Sequence, residues 1–98
     1  MVDAMSQELT LFSRQGCCLC EGLEQRLRSI DLAALGLTMI VVDIDASGVP
    51  PAVKARFDLE VPVLSLAGRL LPRVSPRLSG DGLFVWLQRA LSAKGETT

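Results

Sequence analysis

Three sulfurs crowd into one short segment, Cys17, Cys18 and Cys20, and the chain has no other cysteine and no histidine. Two thiols separated by two residues have three readings. They can cycle between dithiol and disulfide, one sulfur attacking a substrate and the other resolving the mixed disulfide. As soft thiolates they can hold Cu(I) or half of a zinc site. They can also be small buried hydrophobes with no reactivity. A tetrahedral metal site wants four soft or imidazole donors, and this chain offers three cysteines at most.

Which reading applies depends on the elements that carry the sulfurs. Leu9 to Ser13 is a short apolar run, and Gly16 after it lets the chain turn, which predicts a strand and its exit loop. From Cys17 onward Cys20, Leu23, Leu27 and Ile30 recur at three and four residues, with Glu24 and Arg28 paired on the other face. This predicts an amphipathic helix that begins at the cysteines. A cysteine there sits beside unsatisfied backbone N–H groups and the positive end of the helix dipole, both of which favour thiolate over thiol. Cys17 is thus the candidate nucleophile, and Cys20, one turn inward on the same face, the candidate resolving sulfur. Arg14 upstream is expected to add positive charge, and Glu21 in the first turn to oppose it. Cys18 reads as an outward thiol at the periphery.

Thr38 to Ile44 is apolar and β-branched between Gly36 and Asp45–Gly48, as in a buried second strand. After Pro50 and Pro51, Val53 and Phe57 share a face, which predicts a short second helix ending near Asp58. Val61 to Leu66 and Arg69 to Val74 flank Ala67-Gly68 as a hairpin. Ser79 and Asp81 are N-cap candidates for a last helix with Leu83, Phe84, Leu87, Ala90 and Leu91 along one face, ending at Lys94 and Gly95. Trp86 is expected to cover the core. Arg69, Arg73 and Arg77 recur every four residues, but Pro72 and Pro76 exclude a helix, so they read as a solvated face, with carboxylate binding as the alternative. The order is β-α-β-α-β-β-α.

This pattern resembles the glutaredoxin family of the thioredoxin superfamily, in a divergent short branch. The strand runs through Arg14, Gln15 and Gly16 into Cys17-Cys18-Leu19-Cys20; then come the same element order, the segment Val61-Pro62-Val63-Leu64, and a hairpin at Gly68 before a final helix. The resemblance implies a thioredoxin-like, glutaredoxin-type α/β fold whose four-stranded mixed sheet is flanked by helices. It implies thiol-disulfide oxidoreductase activity at Cys17 and Cys20. It also implies a cis Pro62 facing the cysteines, with the backbone of Val61 receiving an extended substrate. No bound cofactor is implied, and glutathione is a candidate co-substrate. Three departures are visible: Cys18-Leu19 where typical members have Pro and Tyr, Glu60 where they have Thr, and Ser79-Gly80-Asp81 in place of a Gly-Gly pair leading to Asp. The alternatives are a metal or iron-sulfur carrier using the same cysteines, and a redox-inactive binding module of the same fold.

The whole chain sets bounds on partners. Its 98 residues suit one domain, with a core at about residues 9–92 and flexible tails at 1–8 and 94–98. Hydrophobic residues are 49% but aromatics only 4%, so Leu, Val, Ile and Ala must do most of the packing. A net charge of -1 is too weak to hold nucleic acid or a membrane surface. Through Asp45 there are seven acids and three bases, and from Ala46 onward four acids and seven bases, so the second half suits an anionic partner. Met1 to Glu8 lacks the basic and apolar regions of a secretory signal, and Leu32 to Val42 is too short to span a bilayer. These observations predict a soluble cytoplasmic monomer acting on a disulfide-containing protein or a small thiol substrate.

Overall fold

Alternation builds the first strand: Leu9, Leu11 and Ser13 are buried on one face of β1 (Gln7–Ser13), while Thr10 and Phe12 turn to the other. The strand begins two residues before the predicted Leu9, because Gln7 and Glu8 already pair with Leu37 and Thr38 of β2 (Leu37–Asp43). The computed structural model describes residues 7–93, so Lys94 and Gly95 and most of the predicted tails lie outside the described residues. Between these two parallel strands runs α1 (Cys18–Arg28), which buries Cys20, Leu23 and Leu27. It ends at Arg28, short of Ile30, with Ser29 as C-cap donating its hydroxyl to the Arg26 carbonyl at 2.8 Å.

A single 3-10 turn over Leu32–Leu35 brings the chain back to β2, an element the apolar run there does not announce. The Asp31 carboxylate caps it by accepting the Ala34 N–H at 3.1 Å, and Gly36, at φ 71°, closes it. After β2, Pro51 occupies the first position of α2 (Pro51–Phe57), where its missing N–H has no partner to lose. Then follow β3 (Val63–Leu66), β4 (Arg69–Leu70) and α3 (Gly80–Ala93). Ser79 precedes α3 and its carbonyl accepts the Leu83 N–H, whereas Asp81 lies inside the first turn rather than at the cap.

The sheet order is β2-β1-β3-β4, with β1 and β2 parallel and the other pairs antiparallel. This is the predicted four-stranded mixed sheet. The fourth strand is shorter than the predicted Arg69 to Val74. The Leu71 N–H still reaches the Leu64 carbonyl at 2.9 Å, but Pro72 has no N–H to continue the ladder.

Every member of the main buried cluster is leucine: Leu9 and Leu11 of β1, Leu23 and Leu27 of α1, Leu37, Leu64, Leu66, Leu71, and Leu83 and Leu87 of α3. This is how a chain so poor in aromatics fills its interior, at roughly 2 kcal/mol of burial per side chain. The cluster places α1 and α3 on one face of the sheet. On the other face Phe12 meets Phe57 of α2, their ring centroids 4.7 Å apart, and Ile44 just past β2 is fully buried. Trp86 packs against the leucine cluster from α3, as expected of it.

Candidate active site at the first strand-helix junction

The loop out of β1 delivers Cys17 to the mouth of α1. Cys17 keeps extended dihedrals, φ -94° and ψ 104°, and its sulfur accepts the Cys20 backbone N–H at 3.2 Å, so it is the N-cap of the helix. The sulfur therefore sits where orphan N–H groups and the helix dipole stabilise negative charge. Its carbonyl accepts the Glu21 N–H at 3.0 Å and starts the helical ladder. Cys17 and Cys20 are joined as a disulfide, with their Cα atoms 5.2 Å apart. Cys20 is fully buried, Cys17 is half-buried, and Cys18 is a free, exposed thiol. Cys17 is thus the more accessible of the two bonded residues.

Arg14 does not serve as a spare cation beside Cys17. Its guanidinium donates to both carboxylate oxygens of Asp45, at 3.0 and 2.9 Å, and to the side chain and carbonyl of Asp58, at 2.9 and 2.8 Å. Lys54 reaches Asp45 at 3.1 Å. These bonds raise the Arg14 pKa and hold the Asp45 carboxyl down to about 2, through Arg14 first and Lys54 second. Sequence reasoning missed this network because its members lie 31 and 44 residues from Arg14.

The Val61–Pro62 peptide is cis, the geometry the resemblance implied. Pro62 shares a groove with Leu19, which stands between the two cysteines, and with Leu23, Arg26, Arg73 and Val74. Leu19 is 55% exposed there, a large apolar side chain at the surface. Val61 is placed differently from Pro62. Its N–H is already donated to the Phe57 carbonyl at 3.1 Å and so is not open to strand-like pairing. The groove's far wall is the segment between β4 and α3. Arg26 of α1 fixes it, donating to the carbonyls of Ser75 and Leu78, and Arg73 donates to the Glu60 carbonyl at 3.2 Å. The sequence singled out Arg73 here, as solvated face or carboxylate binder, but not the wall itself, because nothing local in an irregular, proline-containing segment signals a groove.

Among the described residues no group of three or more His, Cys, Asp or Glu side chains is arranged to hold a metal ion, and no helix is long and apolar enough to cross a membrane.

A Cys-x-x-Cys pair at the first strand-helix junction and this sheet order define a thioredoxin-fold domain. The chain belongs to the glutaredoxin-like family: the family model described as "Glutaredoxin-like domain (DUF836)" matches residues 8–88. Among solved structures it is similar to the structural genomics target XcR50 from X. campestris, at 29% identity over 83% of this chain and 96% of that one, with a TM-score of 0.58. It shares its fold with oxidised thioredoxin O1 from Arabidopsis thaliana, at 18% identity, 93% and 79% coverage and a TM-score of 0.58. The same holds for oxidised mitochondrial thioredoxin 3 from Saccharomyces cerevisiae, at 16% identity, 90% and 78% coverage and a TM-score of 0.55. No curated protein matches the sequence.

Proposed function

We propose that the protein is a thiol-disulfide oxidoreductase in which Cys17 attacks and Cys20 resolves. The observation that carries this reading is the bonded Cys17–Cys20 pair at the helix mouth, its outer residue half-buried and its inner one fully buried. In the reduced protein the Cys17 thiolate attacks one sulfur of a substrate disulfide, forms a Cys17–substrate bond and expels the other substrate sulfur as a thiolate. Cys20 then attacks the Cys17 sulfur, giving up its proton, and the second substrate thiolate leaves. Two electrons pass from the protein dithiol to the substrate. The Cys17–Cys20 disulfide remains, and a thiol donor of a reducing compartment such as the cytoplasm returns it to the dithiol. The cycle needs no metal or prosthetic group. Pro62 and Leu19 supply the apolar surface beside the reacting sulfurs, and the Val61 carbonyl accepts a backbone N–H of the substrate.

The test is mild oxidation of the reduced protein followed by peptide mass mapping. The expected product has lost two hydrogens and carries its bridge between Cys17 and Cys20. Bridges containing only Cys18, or no mass loss, would refute the reading.

A further inference from the structure

The surfaces on the two sides of the cysteine segment carry opposite charge. On one side Arg14, Glu21, Glu24 and Asp43 border a shallow depression, where Arg14 is matched by Asp45 and Asp58 and Glu24 by Arg28, leaving Glu21 and Asp43. On the other side the groove of Leu19 and Pro62 adjoins a cleft over Leu71 and Pro72, with Pro62 and Arg73 lining both. Leu71 and Pro72 in turn border a third depression with Arg69, Trp86 and Arg89. Along these three depressions the acid is Glu60, set against Arg26, Arg69, Arg73 and Arg89.

Arg26 is held by backbone carbonyls and belongs to the wall. The other three are differently placed. Arg73 and Arg69 each spend one N–H on a carbonyl, those of Glu60 and Ala90, at 3.2 and 3.0 Å. Among the described residues none of the three is ion-paired with a carboxylate. A guanidinium pinned by one carbonyl has lost part of its freedom and keeps further N–H donors for a planar carboxylate. Trp86 and Leu71 give an incoming chain apolar surface to cover.

We propose that the client is an acidic polypeptide. The disulfide it presents to Cys17 is flanked on one side by Asp and Glu residues that lie along Arg73, Arg69 and Arg89. Arg73 lines the first two depressions and Arg69 and Arg89 share the third, so a chain running outward from the cysteines meets all three in turn. This assignment rests on the thiol-disulfide reading above, and it names the substrate class of that site.

The experiment is single-turnover oxidation of the reduced full-length protein by disulfide-linked peptides that differ only in flanking residues: acidic, neutral or basic. With exposed pairs contributing two- to fivefold each, the acidic peptide should react about tenfold faster than the neutral one and the basic peptide slowest. The advantage should collapse as ionic strength rises from about 0.02 M to about 0.5 M. Arg89→Glu should cut the acidic-to-neutral ratio about fivefold. If that variant does not fold, the salt dependence of the wild type decides alone. Equal rates for all three peptides would overturn the acidic-client assignment and leave the oxidoreductase reading standing. An acidic preference that ignores salt, or an oxidised glutathione rate matching the acidic peptide, would overturn it equally. No reaction with any peptide would overturn the oxidoreductase reading itself.

Discussion

Arg14 and Asp45, 31 residues apart, are joined by two side-by-side hydrogen bonds, Nε to Oδ2 at 3.0 Å and Nη2 to Oδ1 at 2.9 Å. The pair ties the loop out of β1 to the loop out of β2, so it supports the peptide that carries Cys17 rather than the charge state of its sulfur. Its pH dependence has a definite sign. Asp45 is held at about 2 in the folded protein against an ordinary 3.8, so the stability it contributes is complete above pH 3.8 and is lost as pH falls through 2. The melting-temperature gap between wild type and Asp45→Asn should therefore narrow as pH falls from about 5 toward about 2. A gap that does not change would show that Asp45 is not ionically linked to folding.

The two bonded sulfurs should divide the work unequally. Cys17→Ser is expected to abolish mixed-disulfide formation, since the buried Cys20 cannot meet a substrate directly. Cys20→Ser is expected to trap the mixed disulfide, which intact mass would show as a stable adduct. Cys18→Ser should change little. A Cys17→Ser protein that still traps substrate would move the nucleophile to Cys18 or Cys20.

The β3-β4 turn offers a gain in stability. Ala67 has φ 51° and Gly68 φ 87°, both left-handed, as a tight hairpin of this length requires. An alanine Cβ in that region costs about 1 kcal/mol, and glycine removes the cost while adding freedom to the unfolded chain. Ala67→Gly should stabilise by about 0.5 kcal/mol net, raising the melting temperature by a few degrees. A lower melting temperature would mean that the turn relaxes around alanine without strain.

Glutathione should be a poor co-substrate. Glu60 lines the cleft next to Pro62, where a tripeptide held at the cysteines must sit, and repels its anionic groups at short range, whereas Arg69 and Arg89 lie in the depression beyond that only a longer chain reaches. Turnover of a small glutathione mixed disulfide should be weak, and Glu60→Thr should raise it about two- to fivefold. A wild-type rate typical of glutaredoxins would show that the groove accepts the tripeptide despite this charge.

Much of the fold was legible because its signals are local. The spacing of Cys20, Leu23 and Leu27 marked α1, and the β-branched run to Ile44 marked β2. Cys17, Cys20 and Pro62 were legible as candidates through the motif they share with a family. What stayed hidden depends on contacts between distant segments. The Val61 N–H is taken by Phe57, and Arg14 is matched by Asp45 and Asp58. The third and fourth strands were overestimated at their outer ends because propensity does not register where pairing stops. Pro72 stops it at β4.

Arg26 of α1 binds the carbonyls of Ser75 and Leu78, so the helix that carries Cys20 and the wall that carries Val74 are two ends of one clamp. The two walls of the opening beside Leu19 are thus joined by the reach of a single side chain. The groove is built as a calliper whose gauge is one arginine: shorten that side chain and both jaws lose the strut that spaces them.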